Sequence, residues 1–246
     1  MLEIENLSLS IQDQILLDHI TFSSYGNLGV LGESGSGKSS LLKSLVVLFS
    51  SSFLLQAKTL RVNKFNVLHL RGKALRKFRQ RVGFISADLY GGFYPLSSIG
   101  SVFDALMMYS DIGGSKRDRK KLAFEMFEQM GLEQLDRIWN SYIRELSGGM
   151  AKRVQIALCL ICGAKILLCD EITASLDEEN AQKLIALLKS MRIPSVFATH
   201  QISHLKALCN EAIVLKDGRL IAHGLIETLQ DLQNDYVQSL FGGASC

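Results

Sequence analysis

Apolar residues alternate with mostly polar ones at the start of the chain: Leu2, Ile4, Leu7, Leu9 and Ile11. A period of two predicts strands, and residues 1–31 read as a set of short ones. A second strand-like stretch covers 59–70. From about 98 to 162 the texture changes to helical and richer in charge. There Leu122, Phe124, Met126, Phe127 and Met130 are partly spaced for one helix face. From 164 onward short apolar strands (166–169, 195–198 and 213–215) alternate with helices. Such alternation predicts an α/β fold with a largely parallel sheet. The longest apolar run, 156–164, stops at Lys165. That is short of the roughly 18 residues a spanning helix needs, so action at a membrane requires docking on another subunit.

Composition adds few constraints. A chain of 246 residues fits one large domain or two small interleaved ones, and 48% hydrophobic residues suffice for a sizeable core. A formal charge of +3 gives no electrostatic case for nucleic acid. The basic run Arg71, Lys73, Arg76, Lys77, Arg79 and Arg81 has only Phe78 as an interleaved aromatic, so it reads as a solvated helix face. Residues 115–121 read as an exposed, charged helix start. The five cysteines, Cys159, Cys162, Cys169, Cys209 and Cys246, are odd in number and mostly lie in apolar runs; they read as reduced thiols. Cys159 and Cys162 have CxxC spacing but no second pair nearby to complete a zinc site. Glu3 and Glu5 near the N-terminus exclude the basic-then-apolar pattern of a signal peptide. Trp139 reads as packing.

Three motifs carry chemistry. Gly32-Glu33-Ser34-Gly35-Ser36-Gly37-Lys38-Ser39 matches GxxxxGK[ST] at every fixed position, after an apolar strand and before a helix that starts near Ser40. Its glycines let the backbone turn tightly and aim N–H groups inward, and the helix N-terminus favours phosphate. Lys38 can neutralise β- and γ-phosphate charge, and the Ser39 hydroxyl is a hard oxygen suited to magnesium. The bland alternative, a flexible Gly/Ser turn, does not explain the full match in that context. Second, the apolar strand Ile166-Leu167-Leu168-Cys169 ends in Asp170-Glu171. Asp170 can hold magnesium through water, and Glu171 can polarise an attacking water. Acidic strand ends are common; the phosphate loop upstream favours function. Third, Ser147-Gly148-Gly149-Met150 opens a further helix, with Ser147 as its N-cap, and makes a second anion site. One nucleotide does not need two such sites within one chain. A dimer does, if each chain offers the second loop to its partner's γ-phosphate.

At this point the sequence resembles the ABC ATPase family. Leu146-Ser147-Gly148-Gly149-Met150 is similar to the family signature LSGGQ, Leu176-Asp177 to the D-loop, and His200, after an apolar strand, to the switch histidine that contacts the γ-phosphate. The resemblance runs from Leu2 to about Gly224. It implies a P-loop NTPase with a RecA-like core, an N-terminal antiparallel β subdomain and an inserted α-helical subdomain. The whole of 1–246 is then a single domain, with the core in 1–87 and 163–246 and the helical insertion in 88–162. It also implies ATP and Mg2+ as cofactors and a second ABC ATPase subunit as partner. Transmembrane permease subunits and, indirectly, a substrate-binding protein complete the set, with the chain peripheral on the cytoplasmic face of the cell membrane and no nucleic acid involved.

Residues 82–96 and the LSGGM helix resemble the dipeptide, oligopeptide and nickel importers, whose pattern is close to GMIFQDPYASLNP. The short length favours a nickel or metal-chelate importer over a peptide importer. A soluble ABC ATPase of the DNA-repair or translation type is the alternative; such proteins usually carry a second nucleotide domain or a long coiled-coil insertion, and neither is read in these 246 residues. An exporter is disfavoured because such domains are usually fused to membrane spans. Two positions depart from the family. The Q-loop glutamine falls on Ala87, which cannot ligate magnesium, and Gln80 is not promoted to its role. Ile11 lies where many members place an aromatic against adenine. Ala87 motivates a heterodimer in which a partner carries the competent site. Tyr90 and Phe93 are expected on the surface that meets the membrane subunit.

Overall fold

A computed structural model describes residues 2–242, so Cys246 lies outside the described residues. In chain order the elements are β1 (Leu2–Ile11), β2 (Gln14–Ser24), β3 (Leu28–Leu31), α1 (Lys38–Leu45), β4 (Phe53–Gln56), β5 (Thr59–Val62), β6 (Phe65–Asn66), α2 (Gly72–Gln80) and β7 (Val82–Ile85). Next come α3 (Ile99–Tyr109), α4 (Lys116–Gln129), α5 (Leu135–Asn140), α6 (Gly148–Ile161), β8 (Ile166–Asp170) and α7 (Glu178–Met191). The last are β9 (Ser195–Ala198), α8 (Ile202–Leu208), β10 (Glu211–Lys216), β11 (Arg219–Leu225), α9 (Ile226–Gln230) and α10 (Asp235–Gly242). These elements fall into two compact units. The first holds residues up to 79, 168–171 and 194 onward; the second holds 80–167 and 172–193. Among the described residues no helix is long and apolar enough to cross a membrane.

In the first unit β1 pairs antiparallel with β2, β4 and β5, and β6 extends the sheet past β5. The buried positions of β1 change phase, from Leu2 and Ile4 to Leu7 and Leu9. A strict two-residue period cannot do this. Asn6, at φ 56, absorbs the extra residue as the register shifts between Ile4 and Leu7, so both halves still face the core. The stretch 59–70, expected as one strand, is broken. Asn63 takes a left-handed φ of 53, which asparagine tolerates, and the chain doubles back into β6 before a single 3-10 turn at Val67–His69. The second sheet of this unit runs β11-β10-β3-β9 and on to β8, with β10, β3 and β9 parallel. All four residues of β3 are buried, as a parallel strand covered on both faces requires. The basic run predicts Arg79 on a solvated face. Its guanidinium instead donates to the carbonyls of Val46 and Val47 and so satisfies the C-terminal end of α1.

The second unit packs α3, α4 and α5 around Phe103, Phe127 and Ile138. Gly100 is what lets α5 approach: a Cβ there would lie 2.3 Å from the Trp139 ring, so Trp139 is packing. Helix α4 opens with a Ser115–Asp118 capping box. Its buried stripe is Arg119, Ala123 and Phe127, continued by Met130; Leu122, expected on that face, is exposed. Arg119 is buried as an ion pair with Asp104 (2.7 Å) and also donates to the Gly114 carbonyl, so the charged helix start is only partly solvated. Helix α6 lies on β7, where Gly83 backs directly onto Cys159. Burial pushes the Cys159 thiol up to about 12 and raises Cys162 as well, so both cysteines stay protonated.

Candidate nucleotide-binding site

The phosphate loop leaves the C-terminal end of β3 and enters α1. Gly32 has to be glycine, because a Cβ would sit 2.4 Å from the Leu215 carbonyl oxygen. Gly37 caps α1 in the left-handed region, at φ 104. Lys38, buried, donates from Nζ to the carbonyls of Gly32 (2.7 Å) and Glu33 (2.8 Å). Ser39 donates from Oγ to Asp170 Oδ1 at 2.9 Å. Glu171 follows β8 at φ 49, an uncommon conformation for a residue with a side chain, and its amide donates to the Ala198 carbonyl. Its two carboxylate oxygens have different partners. Oε1 lies 3.4 Å from Lys38 Nζ, and Oε2 lies 3.1 Å from His200 Nδ1. Strain of this kind is concentrated at functional sites. Burial raises the Asp170 carboxyl above its usual range, and the Ser39 hydrogen bond only partly opposes this.

Lys38, Ser39 and Glu171 open onto a cleft of about 590 Å³, with Asp170 and His200 behind them as the partners of Ser39 and Glu171. Ser34, Gly35, Gly37, Lys38, Ser39 and Ser40 line it together with Glu171. So do Gln14, Ile15, Leu16, Asp217 and Gly218, which the sequence reading missed. The signal for the last two was legible: Asp217-Gly218 between apolar strands is a tight-turn dipeptide. Ile11 is not among the lining residues. Ile15, 64% exposed, and Leu16 are the apolar side chains on that wall instead. The Ser36 hydroxyl is buried and has no hydrogen-bond partner. An orphaned donor inside the phosphate loop, a buried lysine and the paired oxygens of Ser39 and Asp170 fit a phosphate chain with a hard divalent cation.

In the second unit Ser147 caps α6 by accepting from the Met150 amide (3.4 Å). A Cβ on Gly148 would lie 3.0 Å from Leu176, and one on Gly149 would lie 3.0 Å from Asn180. Asp177 caps α7. It accepts from the Asn180 side chain (2.7 Å) and the Asn180 amide (2.9 Å), which hold its carboxyl below the usual range. The 147–149 loop and the 176–177 loop are thus side by side.

The loop that carries Ala87 is pinned from beneath by two residues not singled out from sequence. Lys152, fully buried, donates from Nζ to the carbonyls of Ser86 (2.6 Å), Ala87 (3.2 Å) and Asp88 (3.0 Å). Gln155 donates to those of Asp88, Leu89 and Gly91. Gln80 donates to the Ser110 hydroxyl. Phe93, expected on the outer surface, is buried. The exposed apolar side chains of this stretch are Tyr94 and Leu96, and Tyr90 is half-exposed beneath the Arg144 guanidinium.

The family profile described as ABC transporter matches residues 18–174. The chain belongs to the ABC transporter family, and its fold is the ABC ATPase fold. Among curated relatives, the methionine import ATP-binding protein MetN of Helicobacter acinonychis is 34% identical over 207 residues, 82% of this chain and 60% of its own length. MetN 1 of Enterococcus faecalis is 30% identical over 254 residues, 97% of this chain and 68% of its own. The chain therefore spans about 60% of the length of the first of these relatives. Among solved structures, the dimeric ATP-binding cassette MJ0796 bound to ADP and Pi superposes with a TM-score of 0.77 at 24% identity, covering 92% of this chain and 99% of that one. CbiO1 of Clostridium perfringens, part of the ABC transporter complex cbiONQ, gives 0.74 at 22% identity, covering 99% and 98%.

Proposed function

We propose that this chain is the ATP-hydrolysing subunit of an ABC importer. The observation that carries the reading is one connected set of polar groups: Lys38, Ser39 and Glu171 line the cleft, Asp170 bonds to Ser39 and His200 to Glu171. The amides of Ser34, Gly35, Gly37 and Ser40, the orphaned Ser36 hydroxyl and the Lys38 ammonium would bind the phosphates of ATP, with Glu33 completing the loop. Ser39 and Asp170 would hold Mg2+, which supplies further charge neutralisation when bound. Glu171 would take the proton of the attacking water, and His200, in contact with Glu171, would orient it and face the γ-phosphate. Ser147, Gly148, Gly149 and Met150, flanked by Asp177, would serve the nucleotide of a second ATPase subunit. Residues 88–162 would act as the helical subdomain.

Import is supported by the names of the methionine-import relatives. The chain would sit on permease subunits at the cytoplasmic face of the membrane, with a substrate-binding protein beyond them. The cargo would be a small solute. The relatives' names favour methionine, and residues 82–96 with LSGGM favour a metal chelate or a peptide. Ala87 supports pairing with a second, different ATPase subunit.

Two variants test the cleft. Lys38→Ala is expected to abolish ATP binding in calorimetry. Glu171→Gln should keep binding and lose about 10²–10⁴-fold in turnover, the usual range for a general base. Full turnover by Glu171→Gln would refute the assignment of the base.

A further inference from the structure

Helix α10 is a short C-terminal element whose only buried side chain is Val237. The Asn234 side chain fixes its first turn by accepting from the Val237 amide (3.1 Å). This orientation delivers Tyr236 to the phosphate loop. The Tyr236 hydroxyl accepts a hydrogen bond from the Glu33 amide (3.2 Å) and donates its own to the Leu215 carbonyl (3.1 Å). Both hydrogen-bonding functions of the phenol are therefore used. Lys216 Nζ lies 4.7 Å from the ring centroid and holds the ring against the end of β10. The Leu215 carbonyl is also the atom that forbids a side chain at Gly32. On the other side of the same turn, Lys38 Nζ grips the carbonyls of Gly32 and Glu33. The first turn of the loop is thus held by its carbonyls from within and by its amide from α10.

A glycine-rich loop loses much conformational entropy when it converges on an anion, and any contact that orders it beforehand lowers that cost. We infer that Tyr236 is a positioning residue of the phosphate loop, tying the Glu33 amide to the Leu215 carbonyl so that nucleotide affinity depends on the docking of α10. The inference rests on the nucleotide reading of the cleft. It assigns α10 a part in binding although α10 does not line the cleft.

The test uses the full chain and Tyr236→Phe, which keeps the ring and removes the hydroxyl. Amide exchange without nucleotide reads the contact directly: exchange at Glu33 should quicken several-fold while the rest of α10 keeps its protection. Calorimetry with Mg2+ and ADP should show about a 3–10-fold rise in Kd, the worth of one hydrogen bond. Glu33→Pro removes the amide that Tyr236 accepts from, so Tyr236→Phe in that background should add nothing further. Unchanged exchange at Glu33, or an equal loss of affinity in both backgrounds, would overturn the inference. Wild-type chain that fails to bind ADP would overturn the reading of the cleft and the affinity part of this inference; the exchange result would still decide the contact itself.

Discussion

Asp170 sits at the tip of a buried strand, where its charge is poorly solvated and Ser39 is its hydrogen-bond partner. Burial raises its folded-state pKa above the ordinary 3.8, so the folded chain binds a proton more readily than the unfolded chain. The sign follows. The stability tied to the protonated form is fully present below the unfolded value and is lost as pH rises through the folded one. Asp170→Asn mimics the protonated form and can still accept from Ser39. It should raise the thermal midpoint of the nucleotide-free chain at neutral pH, by about 2–4 °C for each kcal/mol recovered in a chain of this size. The gain should shrink as pH falls into the acid range, and stabilisation of the chain by Mg2+ with ATP should be lost. Thermal melts across pH test this; a midpoint lowered by Asp170→Asn at neutral pH would contradict it. Such a result would mean the charge stabilises the loop more than burial costs. A residue kept against its own solvation is better explained by ligand binding than by folding.

At the scale of elements, the period-two pattern, the strand–helix alternation and the three motifs were legible, because each is local in sequence. What escaped was set by contacts between distant segments. The phase change in β1 depends on a bulge at Asn6, and the buried stripe of α4 was misplaced because Arg119, a charged residue, joins it through Asp104 and Gly114. Lys152 escaped for the same reason. A lysine in a helix reads as solvated unless the three carbonyls it meets are known. Ile15 and Leu16, rather than Ile11, line the cleft, because the hairpin between β1 and β2 decides which side chains reach it. The importance of Lys152 is testable at this scale. Lys152→Met keeps most of the volume and removes the donor. It should cost about 1–3 kcal/mol, since three carbonyls lose a charged donor, and amide exchange should quicken across 86–91. Unaltered denaturant midpoint and exchange would show that Gln155 alone holds the loop.

For the whole molecule, the first unit carries the groups proposed to bind and cleave, and the second carries the loops proposed to serve a partner's nucleotide. Residue 87, in the second unit, is alanine where the resemblance places the Q-loop glutamine. A loop clamped by Lys152 and Gln155 but lacking that side chain suits a subunit that relays more than it catalyses. Pairing with a different ATPase subunit is proposed on this ground, and the chain alone should then be slow. The direct measurement is ATP turnover by the purified chain, alone and mixed with a candidate second ATPase subunit from the same organism, each compared with the Glu171→Gln form of this chain. The account predicts low turnover alone, a rise on mixing, and loss of this chain's share in Glu171→Gln. Nucleotide turnover that is absent from every mixture, or untouched by Glu171→Gln throughout, would contradict the central claim that this cleft hydrolyses ATP.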